Sequence, residues 1–446
     1  MKIKFLGGVE SVTGSLFILE TKKFEIMIDC GLFQGSNFLE ERNFELVETN
    51  PDFIFITHAH LDHIGRLPYL YKNFKKKPKI ISTPPTKEIA KIILLDSLKI
   101  LKEKSKNLNR EPIYEIADIE KVINNWVTFP YNQKISFANL EAYFFDAGHI
   151  LGSSFILFNE KGKKIVFSGD LGHQPSNLLR QTESLPKTDF LVLESTYGGK
   201  LHEDIRLRRE KLEDIIEETI KDKGVLLIPI FAIEKAQEII FEIYTLISEY
   251  KIPKVPIFLD SPLAFLAFQI YKNYFNYLNS NARSFFDMIN HIFRQDFVIP
   301  TLESEDSMRI WDFPNPKIIL AGSGMSNGGR ILRHEKKYLP FENTKILIVG
   351  FQAEGSLGKK IVSGEKEIEI EGEIVEIKAK VDTLYSFSLH ADQVQILNWI
   401  FPQRLNLKSI FLVHGEEDQK KELKNKIIDS LAIETIIPKE KDSFEI

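Results

Sequence analysis

Cysteine is nearly missing from this chain: Cys30 stands alone among 446 residues. That excludes an intrachain disulfide and a Cys-rich zinc module, and it suits a reducing compartment. Long uncharged apolar runs are lacking, as is a basic start followed by an apolar h-region. A soluble, cytoplasmic protein with no membrane partner is expected. Positive charge is not in excess either, since the formal net charge is −5. This argues against a nucleic-acid coat protein but leaves room for a nuclease with a local basic groove. The densest basic run, Lys72, Lys75, Lys76, Lys77 and Lys79, reads as a solvated helix end. No repeat or low-complexity segment stands out.

What the chain does have is a dense group of metal-liganding side chains. Residues 54–65 read Ile-Phe-Ile-Thr-His-Ala-His-Leu-Asp-His-Ile-Gly, a buried strand running into His58, His60, Asp62 and His63. Histidines two apart in extended backbone point to one side and can reach one ion. Asp62 and His63 fall where a helix over residues 64–71 begins, which aims them at a second point. Three His and one Asp within six residues argue against a strand-end turn with solvated imidazoles. Imidazole plus carboxylate is zinc-type ligation that needs no thiolate.

Two zinc ions need about four ligands each, so further donors must come from elsewhere. Short strands are expected over 3–6, 15–19, 24–29, 79–82, 134–137, 140–145, 164–168, 191–193 and 409–413, with helices over 86–104, 116–125, 393–400 and 418–431. Several of these strands end in Asp29, His149, Asp170, Glu194 or His414, and β-sheet enzymes place chemistry at strand ends. His58, His60 and His149 can hold one zinc; Asp62, His63 and His414 the other; Asp170 bridges. Asp29 can accept a hydrogen bond from a ligating histidine and fix its tautomer. Such a pair of ions clamps the oxygens of an in-line displacement and lowers the pKa of a shared water, giving a hydroxide nucleophile.

Between residues 206 and 380 the texture becomes helix–strand alternation, an α/β domain with parallel strands. It contains a strand–glycine–helix loop at residues 322–330 whose helix start suits a phosphate, although the loop is neither a Walker loop nor a GxGxxG fingerprint.

The run His58 to His63 resembles the HxHxDH signature of the metallo-β-lactamase superfamily, with Asp29, His149 and Asp170 at its other motifs. Glu194 in Leu-Glu-Ser-Thr-Tyr-Gly, His390 in Ser-Leu-His-Ala-Asp and His414 in Val-His-Gly-Glu resemble motifs A, B and C of its β-CASP nuclease branch. Asp260-Ser261-Pro262, residues 324–330 and residues 350–355 match that branch's insert. The resemblance implies an α/β fold: a four-layer αββα metallo-β-lactamase core (1–205 and 381–446) with an inserted α/β β-CASP domain (206–380). It implies a zinc-dependent ribonuclease with two ions, cleaving single-stranded RNA by metal-bound hydroxide, with endonuclease and 5′→3′ exonuclease modes both open. His390 would be the general acid, Glu194 its orienter and Asp29 an orienter of ligands. His at motif C tips the reading towards RNA rather than DNA. Lys235, Ser261, Ser323, Ser326, Gly328, Gly329 and Arg330 are the candidate RNA-phosphate contacts. Glu234-Lys235 stands where the family commonly has Gly-Arg, which keeps the charge but loses the bidentate fork. His173, His202, His291 and His334 lie outside the expected site, His334 being the nearest to an exception. A homodimer stays open. The competing readings are a small-molecule metallo-hydrolase and a catalytically weak RNA-binding scaffold.

Overall fold

A computed structural model describes residues 1–446 apart from Ile205, Gln295, Asp296, Phe351, Ala353 and Glu354, and apart from the side chains of Asn37, Asn107, Leu108, Arg206, Asn290, His291 and Arg294. The expectations for residues 351, 353 and 354, and for the His291 side chain, lie outside the described residues.

Two compact units result: Met1–Leu201 with His390–Ile446, and His202–Leu389. The first is built on two sheets. Strands β1 (Lys2–Gly7), β2 (Leu16–Glu20), β3 (Glu25–Ile28), β4 (Phe53–Phe55), β5 (Lys79–Ser82) and β6 (Trp126–Thr128) lie side by side in that order. The first three pair antiparallel, and β3 to β6 run parallel. The second sheet begins with β7 (Ile135–Phe137), β8 (Leu140–Asp146), β9 (Ser154–Glu160), β10 (Lys163–Phe167) and β11 (Phe190–Glu194).

The second unit carries one all-parallel sheet and a hairpin. Its strands are β12 (Val225–Pro229), β13 (Ile257–Asp260), β14 (Val298–Pro300), β15 (Lys317–Ala321) and β16 (Thr344–Ile348); β17 (Glu367–Ile370) and β18 (Glu373–Glu376) form the hairpin, and β19 (Lys380–Thr383) returns to the sheet. The order β14-β13-β15-β12-β16-β19 needs helical crossovers. The expected boundary at 380/381 therefore moves to 389/390. β19 pairs with β16 across Lys345–Lys380 to Ile348–Thr383, and the Leu384 N–H donates to Ile348 O, so residues 381–389 belong to the inserted unit.

The chain then completes the first unit. β20 (Ser409–Val413) and β21 (Glu434–Ile436) extend the second sheet beside β11, and β22 (Ser443–Glu445) pairs with β1. Alternate residues of both sheets, among them Phe5, Phe17, Phe55, Phe144, Phe158, Phe167 and Phe411, are buried in one shared core. The opposite face of the second sheet is covered by Ile396, Ile400, Leu423 and Ile427 from the helices Gln393–Ile400 and Glu417–Leu431. This is the layered arrangement expected from the sequence. Among the described residues no helix is long and apolar enough to cross a membrane.

The basic run is engaged locally. Lys77 donates to the carbonyls of Tyr71, Lys72 and Phe74, closing the end of the helix Leu67–Asn73, while Lys76 pairs with Asp52 and Lys79 with Asn125.

The turn Leu61–Ile64 is stapled to the strand ends by three backbone bonds: Ser15 N–H to Asp62 O, Cys30 N–H to His63 O and Leu32 N–H to Leu61 O. Gly31 sits within this clasp, and a Cβ there would lie 1.7 Å from the Asp62 carbonyl oxygen. Gly31→Ala must push that turn away, at a cost of about 1–3 kcal/mol. A lower denaturant midpoint together with weaker metal loading is expected; an unchanged midpoint would contradict the clasp.

Candidate metal centre

Apart from Asp62 and His63 on the turn Leu61–Ile64, and His390, the expected metal-centre residues leave strands at the same edge of the first unit. Asp29 follows β3, His58 and His60 follow β4, His149 follows β8, Asp170 follows β10, Glu194 ends β11 and His414 follows β20. β3 and β4 run parallel, as do β10, β11 and β20, so their carboxyl ends gather there.

Three groups of donors form. His58, His60, His149 and Asp170 make one, Asp62, His63 and His414 a second, and Asp170, Glu194 and His390 a third. In the first group His60 Nδ1 lies 3.2 Å from both His58 Nε2 and His149 Nε2, and Asp170 Oδ2 lies 3.4 and 3.5 Å from the same two nitrogens. A tetrahedral zinc with bonds of about 2.0–2.1 Å separates its ligand atoms by about 3.3 Å, so the spacing fits. In the second group His414 Nε2 lies 3.1 Å from His63 Nε2 and 3.2 Å from Asp62 Oδ2, with Asp170 Oδ1 3.4 Å from His63 Nε2. Asp170 is buried, and its Oδ1 has no hydrogen-bond partner.

The tautomers follow from the neighbours. His63 Nδ1 donates to Asp29 Oδ2 at 2.7 Å. Thr57 donates its hydroxyl proton to the same oxygen at 2.8 Å and its N–H to Asp29 Oδ1 at 2.8 Å. Its hydroxyl oxygen is then left to accept from His58 Nδ1 at 3.1 Å. One carboxylate thus sets a histidine in each group, directly for His63 and through Thr57 for His58, and both Nε2 atoms present lone pairs inward. Asp29 adopts φ +59° to do so, with its N–H on Phe55 O. Thr57 was not singled out from sequence, because a hydroxyl beside a histidine carries no signature until both partners are seen.

Burial, aided by neighbouring imidazoles, holds His58 and His149 below the usual histidine range and His60 down to about 3, so they stay neutral donors. Burial opposes charge on His63 and His414 as well. There Asp170 and the adjacent carboxylates Asp29 and Asp62 prevail and raise both. Negative potential that favours a proton at these nitrogens favours a metal cation for the same reason. Against burial, the histidines hold Asp170 and Asp62 below the usual carboxylate range.

Glu194 is buried and fully engaged. Its Oε1 accepts from Leu171 N–H at 2.8 Å and from His390 Nδ1 at 3.3 Å, and its Oε2 accepts from Thr196 N–H at 3.1 Å. It is an anchor for His390 rather than a ligand. Burial works against the His390 imidazolium, but Glu194 and then Asp170 lift it above the usual range.

Four of the expected phosphate contacts are engaged within the second unit itself. Arg330 donates Nη1 to Asp260 Oδ1 and Thr301 O, and Nη2 to Leu302 O, each at 2.8 Å. Ser326 is buried with its hydroxyl on Glu335 Oε1 at 2.5 Å, and Ser261 caps the helix Pro262–Asn273 by accepting from Ala264 N–H. Gly329 has φ +76°, and a Cβ there would lie 2.5 Å from Gly322 O, so its bareness serves the loop itself. Of the others, Ser323 accepts from Asn327 N–H, and Gly328 faces open space. Lys235 is 2 % exposed with no partner on Nζ, and burial draws it down to about 7. His334 is structural, held between Asp260 Oδ2 and the Trp311 N–H. His173 and His202 are half-buried and belong to none of the three donor groups.

Comparison with known proteins agrees with this geometry. Residues 18–195 match the metallo-beta-lactamase superfamily domain, residues 236–361 the Beta-Casp domain, and residues 374–438 a Zn-dependent metallo-hydrolase RNA specificity domain. The chain is 34% identical over 422 residues to Ribonuclease TTHA0252 of Thermus thermophilus, covering 94% of each. It is 32% identical to an RNase J-like protein of Methanocaldococcus jannaschii, covering 98% of this chain and 97% of the relative. Transcription termination factor FttA of Pyrococcus horikoshii is 31% identical across the whole chain, which spans 71% of that longer protein. A solved structure of a protein of unknown function from Enterococcus faecalis shares the fold, with a TM-score of 0.57 at 11% identity and 99% coverage of both.

The buried loop of the second unit gives a pH test. Burial raises the Glu335 carboxyl from 4.5 to about 8, against the Ser326 hydrogen bond. Between those values the folded chain keeps a proton that the unfolded chain has lost. Its contribution is whole below about pH 4.5 and is lost as pH rises to about 8. Glu335→Gln should therefore flatten the fall in melting temperature across that window; an unchanged pH slope would contradict the burial argument.

Proposed function

The chain belongs to the Beta-Casp ribonucleases of the metallo-β-lactamase superfamily, and from that premise we propose that it cuts single-stranded RNA with two zinc ions per chain. It is a hydrolase acting on RNA phosphodiester bonds. His58, His60 and His149 would hold one ion, Asp62, His63 and His414 the other, and Asp170 would touch both. The observation that carries this reading is the division of one buried carboxylate: Asp170 Oδ2 faces His58 and His149, while Oδ1 faces His63 and His414.

When bound, such ions act as Lewis acids, bringing the ionisation of a water towards neutrality and offsetting charge on the phosphodiester. The protein's own groups do the remainder. Asp29, reaching His58 through Thr57, keeps protons on the Nδ1 atoms of His58 and His63 and so holds their lone pairs inward. Cleavage also leaves an alkoxide that needs a proton. His390 answers that need: Glu194 holds its Nδ1–H, which leaves Nε2 as the nitrogen that gives up a proton. The raised His390 range keeps a larger imidazolium fraction near neutral pH. The His390 ring lies 4.6 Å from that of His149 between centroids and is tilted 50° to it, so the acid would stand beside the first group of ligands.

One experiment tests the whole reading. Zinc-loaded protein is incubated with end-labelled single-stranded RNA and matched DNA, carrying 5′-hydroxyl or 5′-monophosphate ends, and the ladder is read. RNA cleavage lost on chelation and restored by zinc is expected. Asp170→Ala should lose most metal and activity together, whereas His390→Ala should retain both ions and slow turnover by about 10²–10⁴-fold. Thioester or mononucleotide turnover exceeding RNA turnover would overturn the assignment. Two retained zincs in Asp170→Ala would overturn the bridge.

A further inference from the structure

We propose that Thr196 is a positioning residue for the second ion: its hydroxyl fixes the tautomer and ring plane of His414, an inference that rests on the dinuclear reading above. Thr196 Oγ1 lies 3.1 Å from His414 Nδ1 and 3.1 Å from the His414 carbonyl oxygen. A carbonyl only accepts, so the single hydroxyl proton goes to it. The hydroxyl lone pair must then take the proton on Nδ1. His414 is thereby held as the Nδ1–H tautomer, with the Nε2 lone pair facing His63 Nε2 at 3.1 Å and Asp62 Oδ2 at 3.2 Å. Asp170 Oδ1 lies 3.7 Å from the same Nδ1, beyond hydrogen-bond distance.

The surroundings make this hold rigid. His414 sits at φ +50°, with its N–H on Gly8 O at 2.6 Å. Ser195 adds two bonds, N–H to His414 O at 3.2 Å and Oγ to Val413 O at 2.8 Å. Gly415 lets the two segments close, since a Cβ there would lie 2.3 Å from Ser195 Oγ. The turn after β11 therefore grips the turn after β20. The same turn reaches the acid, because the Thr196 N–H is bound by the Glu194 carboxylate that holds His390. Thr196 does for His414 what Asp29 does for His63, but with a neutral hydroxyl. It adds no negative charge beside an ion already served by two carboxylates, Asp62 and Asp170. Groups that orient a ligating histidine typically contribute about 10–100-fold to metal affinity.

Thr196→Val keeps the branched shape and removes both the proton and the lone pair. Zinc titrated into metal-free protein against a chromogenic chelator should show two ions in the parent. In Thr196→Val one of them should bind about 10–100-fold more weakly while the other is unmoved. Thr196→Ser should restore the parent isotherm, and the His414 Nδ1–H resonance of ¹⁵N-labelled zinc-loaded protein should vanish in the Val variant alone. A parent chain that binds fewer than two zincs would sink the dinuclear reading itself. A parent with two, and a Val variant with two equally tight ones, would sink the role of Thr196 alone. Equal weakening of both ions with a lower melting temperature would reduce Thr196 to a folding residue and overturn the proposal.

Discussion

His63 and His414 bring their Nε2 atoms to 3.1 Å while their Nδ1 protons are committed to Asp29 and Thr196. At that separation the two nitrogens are favourable neighbours only with a proton or a metal cation between them. The rest of the first unit can be understood as the scaffold that enforces this approach. β3 and β4 belong to one sheet and β10, β11 and β20 to the other, and the shared phenylalanine core fixes the two sheets face to face. Folding energy from apolar burial thus holds polar groups in an arrangement they would not adopt alone, and metal binding relieves it.

The second unit solves a different problem with similar parts. Arg330 at the end of its Gly-rich loop, Thr301 after β14, Ser307 and His334 all converge on the buried Asp260 carboxylate. A charge buried in this way is stable only when fully surrounded by donors. Within this network Arg330 donates to Asp260 and to the carbonyls of Thr301 and Leu302.

The core of the site was legible because it is written in residue types with few other uses. Histidines and carboxylates at the exits of apolar strands point to a metal centre from sequence alone, and His58, His60, Asp62, His63, His149, Asp170, Glu194, His390 and His414 gather into three donor groups. Strands with strong β-branched runs were legible for the same reason. β9 and the short strands β6, β14, β21 and β22 were not foreseen; the last four have three residues each, and the pairing of β22 is set by the distant β1. The domain boundary was displaced because β19 continues the same charged, alternating texture as the hairpin before it, and only the partner strand decides its sheet. Hydroxyl roles at Thr57 and Thr196 were invisible, since one side chain serves as donor and acceptor to partners far along the chain.

β1 pairs with β22, and the Met1 ammonium reaches the Ile446 carbonyl, so the first sheet is closed by the two extremes of the polypeptide. His414 likewise enters the ligand set only after the whole inserted unit, His202–Leu389, has been made. Six of the seven side chains in the first two groups precede the insertion, and the second group closes only when β20, which leads into His414, packs beside β11. The second group is therefore assembled by a long-range contact, whose loop-closure cost grows only slowly with the length of the insertion.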